Sequence, residues 1–226
     1  MQKNDCISVV IPAYNEERYL GDVLKAFREL NYRYEIIVVD DGSIDETVDV
    51  ARKGGALVIS HPVNMGQWTA LRTGFTTALM NGSNIIVTLD SDGQHDPHHI
   101  EKLIAPILRD EVDLVIGSRF MDKSVFEMPL YRALGLTFFN WIMEIILKKP
   151  LTDCTSGFRA IRADTLRRIT NVLRENQYGS LEFLLKISKL GIRMKEIPVP
   201  IKHNATSKKG KLKYGYNLLK TVFSYF

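Results

Sequence analysis

Five short runs rich in Val and Ile recur along the first half of the chain: ISVVIP at 7–12, YEIIVVD at 34–40, ALVIS at 56–60, NIIVTLD at 84–90 and VDLVIGS at 112–118. Each has the length of a strand and is apolar on both faces, as a strand covered by helices on both sides must be. The segments between them carry the helical period instead. Leu20, Val23, Leu24, Phe27 and Leu30 fall on one stripe, and Trp68, Leu71, Phe75, Ala78 and Leu79 on another, and both stripes read as core. Strand and helix in alternation predict an α/β domain with a mainly parallel central sheet and flanking helices.

Such a sheet is closed on its faces and open at the carboxyl ends of its strands, where ligands bind. Three of those ends are polar in a consistent way: PAYNE after the first strand, DDGS after the second and DSDGQ after the fourth. In IIVTLDSDGQHDP, Asp90 and Asp92 are two residues apart and project to the same side of an extended chain. Two such carboxylates repel each other unless a cation or polar ligand joins them, so a ligand site is favoured over a polar turn. Tyr14 can stack on a base, Asp40 or Asp41 can accept hydrogen bonds from a base or ribose, and Asp92 with Gln94 can hold a divalent cation against a diphosphate. Mg²⁺ suits so sparse a ligand set, because it takes one or two carboxylates and fills its other positions with water and phosphate oxygens. No G-x-G-x-x-G follows the first strand and no P-loop motif occurs, which disfavours dinucleotide oxidoreductases and P-loop enzymes.

Other polar residues read structurally. Asp96 is expected to cap a helix that Pro97 begins. Ser43 and Glu46 have the spacing of a capping box, and Gly42, Gly66 and Gly157 suit tight turns. His95 and His99 are four apart, but Pro97 places His95 outside the helix, so a zinc pair is not indicated. Arg159 fits a site role or a structural ion pair equally well.

The 226 residues are 45% hydrophobic and 25% charged, enough for one large domain without covalent staples. Cys6 and Cys154 lie far apart with no metal-ligand spacing, so neither a disulfide framework nor a zinc site is expected, and a reducing, cytoplasmic setting is. No run is long enough to span a bilayer, and MQKNDC lacks the apolar stretch of a secretory signal. Net charge is +4, yet residues 201–226 alone hold six lysines and no acid. A basic tail of this kind suits nucleic acid, an anionic membrane or a phosphorylated substrate. Two apolar segments, 130–147 and 214–226, fall short of a membrane span and are expected to lie at a membrane surface, ahead of core packing or a partner helix.

SVVIPAYNEE, EIIVVDDGSIDET, IIVTLDSDGQHDP, VIGSRF and TSGFRA, in that order over nearly the whole chain, resemble family 2 glycosyltransferases. Within them the chain looks like the dolichyl-phosphate mannosyltransferase branch, which moves a sugar from a nucleotide sugar to a polyprenyl phosphate. The resemblance implies a glycosyltransferase A-type, Rossmann-like fold in one domain over 1–226, with a nucleotide-sugar half at 1–118 and an acceptor half at 119–226. It implies that Pro12, Tyr14, Glu16, Val39 and Asp41 line the nucleotide pocket, and that Asp90, Ser91 and Asp92 form a D-x-D. Asp92 and Gln94 then carry Mg²⁺ or Mn²⁺, Asp92 and Arg119 serve catalysis, and Arg119, Arg132, Lys202 and Lys208 meet the acceptor phosphate. Three positions depart from the family: Trp68 stands where a second glycine is common, Leu136 where a serine is common, and Lys202 where arginine is usual.

The reaction so implied is metal-dependent, inverting transfer of a hexose to dolichyl or polyprenyl phosphate at the cytoplasmic face of a membrane. The donor is of the GDP-mannose, UDP-glucose or UDP-GlcNAc type, a membrane subunit is a conceivable partner, and nucleic acid is not one. An ionised phosphate attacks without a general base, whereas a hydroxyl acceptor would need one, and Asp153 would then be the candidate. The rival readings are transfer to a hydroxyl of a glycan or lipid, and a non-catalytic nucleotide-sugar-binding or membrane scaffold protein.

Overall fold

The computed structural model describes residues 6–121, 130–174 and 179–201, with the side chains of 130–134 excluded. A seven-stranded sheet runs in the order β3-β2-β1-β4-β6-β5-β7. Its strands are β1 (Ile7–Ala13), β2 (Glu35–Asp40), β3 (Leu57–Ser60), β4 (Ile85–Thr88), β5 (Leu114–Ser118), β6 (Arg159–Arg162) and β7 (Met194–Pro198). β1, β2, β3 and β4 are mutually parallel, as are β5 and β7. The five early runs thus become the five expected strands, and β7 comes from a later segment.

β6 was not expected. It lies antiparallel between β4 and β5, with Val87 opposite Ala160 and Val115 opposite the same residue on its other side. Residues from beyond 118 therefore sit in the middle of the sheet, and both halves of the chain share one framework.

The pleat of β1 sorts its side chains into two cores. Ile7, Val9, Ile11 and Ala13 pack with helices α1 (Glu17–Phe27) and α4 (Ile100–Leu108), through Leu20, Val23, Leu24, Leu103 and Ile104. Val10 faces the other way, toward Trp68, Leu71 and Phe75 of α3 (Gln67–Met80), joined there by α6 (Ala163–Thr170) and α7 (Ser180–Ser188). Each fully buried Ile, Leu or Phe contributes about 1.5–3 kcal/mol relative to exposure, so the two faces are the main source of stability. Trp68 is part of this core: its ring lies 5.6 Å from that of Phe183.

α5 (Leu130–Leu147) divides along its length. Phe139 and Met143 are buried, and Leu136, Ile142, Ile146 and Leu147 pack against the core, whereas Phe138, Trp141 and Ile145 stand exposed. The expectation of an interfacial helix is thereby narrowed to one face, because a single helix serves core and surface at once. Among the described residues no helix is long and apolar enough to cross a membrane. The second apolar segment, 214–226, lies outside the described residues.

Candidate active site

β1 pairs with β2 on one side and β4 on the other, so chain order reverses there and a crevice opens at the carboxyl ends. The loops after these strands are tied together. Ser43 Oγ accepts the backbone N–H of Asn15 at 2.9 Å, and Asn15 Oδ1 accepts that of Ile44 at 3.0 Å. The expected capping box does not form. α2 (Thr47–Lys53) starts after Glu46, which makes no side-chain cap, and Asp45 accepts the N–H of Thr47 at 3.1 Å instead. Two helix starts cap each other: Glu46 N–H donates to Glu17, and Glu17 N–H to Asp45. Tertiary partners outcompete the local spacing, since any oxygen within reach satisfies a helix's first N–H groups.

In this crevice Tyr14 is exposed, Glu16 is half-buried, and Pro12 lies buried in register with Val39. Val39, expected to line the nucleotide pocket, has its side chain fully enclosed in the core with Trp68 and Phe75. Asp41 is buried and accepts three hydrogen bonds, from His61 Nδ1 at 2.8 Å, Met65 N–H at 2.9 Å and Gly66 N–H at 2.7 Å. Gly42 lets the 61–66 loop close over this point, because a Cβ there would stand 2.6 Å from the Val63 carbonyl carbon.

Asp90 follows β4, and its Oδ1 accepts Gln67 Nε2 at 2.8 Å. Gly157 was read as a turn residue; its role is room, since a Cβ would come 2.6 Å from Asp90 Oδ2. Ser91 is buried, and Asp92 Oδ1 accepts the N–H of Gln94 at 3.1 Å across Gly93, whose φ is +73°. Asp96 caps the turn at Pro97–His99 as expected, through the N–H of His98.

Among the described residues no group of three His, Cys, Asp or Glu gathers to hold a metal. The donors expected from sequence, Asp92 and Gln94, follow β4 together and bring one carboxylate and one amide oxygen. Such a hard, sparse donor set fits Mg²⁺ or Mn²⁺ bound jointly with a diphosphate and water, and does not fit zinc.

Beyond β4 lies a second charged cluster. Arg119, just past β5, holds Asp153 at two points, Nε to Oδ2 at 2.7 Å and Nη2 to Oδ1 at 2.8 Å, and Nη2 also reaches Thr155 Oγ1 at 2.8 Å. Burial alone would push the Asp153 carboxyl up, but the Arg119 charge and its hydrogen bonds outweigh it and hold the group below the usual range. Glu196 of β7 fixes the same loop by accepting the N–H groups of Thr152 and Asp153, and Asn140 of α5 bonds Thr152 and Cys154. Burial raises Glu196, against those hydrogen bonds.

His95, set aside as a zinc ligand, sits between the two clusters. It is 3% exposed, lies 5.0 Å ring to ring from Phe158, and pairs its backbone with Ile201. Its Nδ1 has no hydrogen-bond partner among the described residues. Burial, aided by Arg119 and opposed by Asp90 and Asp153, pushes its pKa down to about 4. Arg159 is structural: it is buried, bonds the Cys154 carbonyl at 3.0 Å and stacks near Phe183 and Trp68. Of the remaining expected residues, Arg132 lies in α5 with its side chain outside the described residues, as Lys202 and Lys208 are altogether.

His61, Asn140 and Glu196 were not singled out from sequence. The signal was there for two of them: an amide inside an apolar helix, and a carboxylate in the final strand beside Ile197, both of which need buried partners.

Comparison with known proteins bears on the family and the fold. The dolichyl-phosphate N-acetylglucosaminyltransferase of Methanococcus voltae, which takes UDP-N-acetylglucosamine, is 32% identical over 85% of this chain and 84% of its own length. The undecaprenyl-phosphate mannosyltransferase of Micrococcus luteus is 31% identical over 85% of this chain and 82% of its own. Glucosyl-3-phosphoglycerate synthase from Mycobacterium tuberculosis, solved with Mn²⁺, uridine diphosphate and glucosyl-3-phosphoglycerate, matches at TM-score 0.76 and 22% identity, covering 98% of this chain and 80% of that chain. That last likeness bears on the fold alone, and it agrees with the A-type glycosyltransferase architecture expected from the motifs. The model of glycosyl transferase family 2 matches residues 8–170, which span both the D-x-D and the Arg119–Asp153 cluster, and the chain belongs to that family.

Proposed function

We propose that this chain transfers a hexose from a nucleotide sugar to the phosphate of a dolichyl or polyprenyl phosphate, by one inverting displacement at a membrane surface. A phosphate oxygen of the acceptor bonds to the anomeric carbon while the bond from that carbon to the donor diphosphate breaks, and the electron pair leaves with the nucleoside diphosphate. Asp92 and Gln94 would hold a divalent cation, Mg²⁺ or Mn²⁺, which when bound would supply positive charge for the diphosphate. Tyr14, Glu16 and Asp41 line the nucleoside end of the crevice, and Asp90 orders the loop from Gln67.

The observation that carries this reading is the Arg119–Asp153 pair. The acid that a hydroxyl acceptor would need as its base is buried, ion-paired and held below the usual carboxylate range. The guanidinium beside it is partly exposed, and a guanidinium suits a phosphate. Two relatives named for polyprenyl-phosphate acceptors support the same choice. Peripheral attachment to a membrane is supported by the exposed Phe138, Trp141 and Ile145.

A donor screen with Mn²⁺ tests the reading. Release of nucleoside diphosphate and formation of a phosphate-linked glycolipid are expected with polyprenyl phosphate and not with the matching polyprenol. Transfer to the polyprenol or to a free glycan at equal rate would replace it with the hydroxyl-acceptor reading.

A further inference from the structure

The two polyprenyl-phosphate relatives transfer different sugars, so likeness leaves the donor open; the surroundings of Asp41 do not. We infer that the donor is a uridine nucleotide, selected by the single acceptor position that Asp41 has left, with His61 as the positioning residue. The inference rests on the proposed reading that the donor's base lies at the ends of β1 and β2.

Asp41 belongs to that end of the crevice, since its backbone N–H donates to the Ala13 carbonyl at 2.8 Å, next to exposed Tyr14. A carboxylate has about four lone-pair positions in its plane. His61 Nδ1 and the N–H of Met65 occupy Oδ1, and the N–H of Gly66 occupies one side of Oδ2. Among the described residues, one position remains, on Oδ2. The carboxylate cannot swing to offer both oxygens, because its partners are themselves held. His61 Nε2 meets Thr73 Oγ1 at 2.9 Å, the His61 N–H donates to the Asp40 carbonyl at 2.8 Å, and Gly66 is the residue from which α3 begins.

The bases differ in what they bring to such a position. Guanine presents a ring N–H beside an amino N–H, a pair that calls for two carboxylate oxygens. Uracil presents one ring N–H flanked by carbonyls. Cytosine has a bare ring nitrogen there, an acceptor facing an acceptor. Stacking on Tyr14 accepts any base, so the choice among them falls to Asp41.

Equilibrium binding of nucleoside diphosphates to the whole wild-type chain with Mn²⁺ tests this. UDP should bind more tightly than CDP and GDP by about tenfold or more, the size of one charge-assisted hydrogen bond made or lost. Inosine diphosphate, which keeps guanine's ring frame without the amino group, should bind more tightly than GDP. In His61→Phe the freed Oδ1 position should shrink the UDP-to-GDP ratio, whereas a purely structural His61 would weaken both ligands in parallel and lose its assigned role. GDP binding as well as UDP would overturn the inference and leave the nucleotide-sugar reading standing. Inosine diphosphate binding no better than GDP would assign the choice to ring size and overturn the part given to Asp41. Failure of every nucleoside diphosphate to bind would overturn both.

Discussion

Arg119 grips Asp153 edge to edge, Nε on Oδ2 and Nη2 on Oδ1, with the carboxylate fully enclosed and the guanidinium side chain 20% exposed. The pair cannot be judged as a surface ion pair. Removing one member leaves the other desolvated and uncompensated, at a cost of about 3–5 kcal/mol. Asp153→Ala should therefore lower stability by roughly 3 kcal/mol in denaturant titrations. Asp153→Asn keeps the shape and loses the charge, so it should slow turnover by about tenfold through a loosened Arg119. It should leave the shape of the pH–rate profile unchanged. Loss of an acidic limb in that profile would identify Asp153 as a general base and favour a hydroxyl acceptor.

The D-x-D acid has a different signature. Asp92→Asn should abolish transfer and remove the divalent-ion dependence of nucleotide-sugar binding, because the diphosphate loses its bridge to the protein. The readout is donor binding with and without chelator. Wild-type enzyme that turns over normally after chelation would exclude the role given to Asp92 and Gln94.

How legible such features were depended on where their partners lie. β1, β2, β4 and β5 could be read because burial leaves consecutive apolar residues, and β3, an edge strand with Leu57 exposed, because its run is apolar all the same. β6 could not. RAIR is four residues with an arginine at each end; Arg159 is accommodated by the Cys154 carbonyl, and Arg162 by Ile107 and Asp110, far away in sequence. The acids of the site were visible as acids at strand ends, but their commitments were not. Two of the three hydrogen bonds that Asp41 accepts come from the backbone of Met65 and Gly66, and backbone N–H groups leave no mark on a sequence. Ser43 and Glu46 show the converse, a correct local spacing overridden by Asn15 and Glu17 from a neighbouring loop.

His95 ties stability to pH. Its pKa is near 4 in the folded chain, against about 6.5 unfolded, so between these values the unfolded chain binds more protons and stability rises with pH. The contribution is fully present above the unfolded value and is lost as pH falls toward 4, a change on the order of 3 kcal/mol. Glu196 works in the opposite direction, because its raised pKa favours folding as pH falls. Metal-free wild type compared with His95→Leu isolates the histidine, since Glu196 is common to both. The stability difference should change across pH 6.5 to 4, and a difference flat in pH would show that His95 titrates alike in both states.

The outer face of α5 presents Phe138 at 46% exposure, and Trp141 and Ile145 at 57% each, while Met143 on the opposite face is fully buried. The spacing of three and four residues aligns the exposed side chains in one row, and Phe138 lies 6.4 Å ring to ring from Trp141. Lys148 and Lys149 follow directly and are exposed, so an apolar row ends in positive charge, the arrangement that suits a helix lying on anionic lipid. Ile142 is not part of the row, because it packs against the core. Phe138→Ser, Trp141→Ser and Ile145→Ser together should reduce binding to vesicles containing anionic lipid by about tenfold or more, with the thermal transition and Mn²⁺-dependent nucleotide binding preserved. Met143→Ser, made alone, should lower the thermal transition instead, since it buries a hydroxyl and opens space in a packed core. A triple variant that unfolds would return the row to the core, and one that folds yet binds vesicles as well as wild type would move membrane attachment away from this helix.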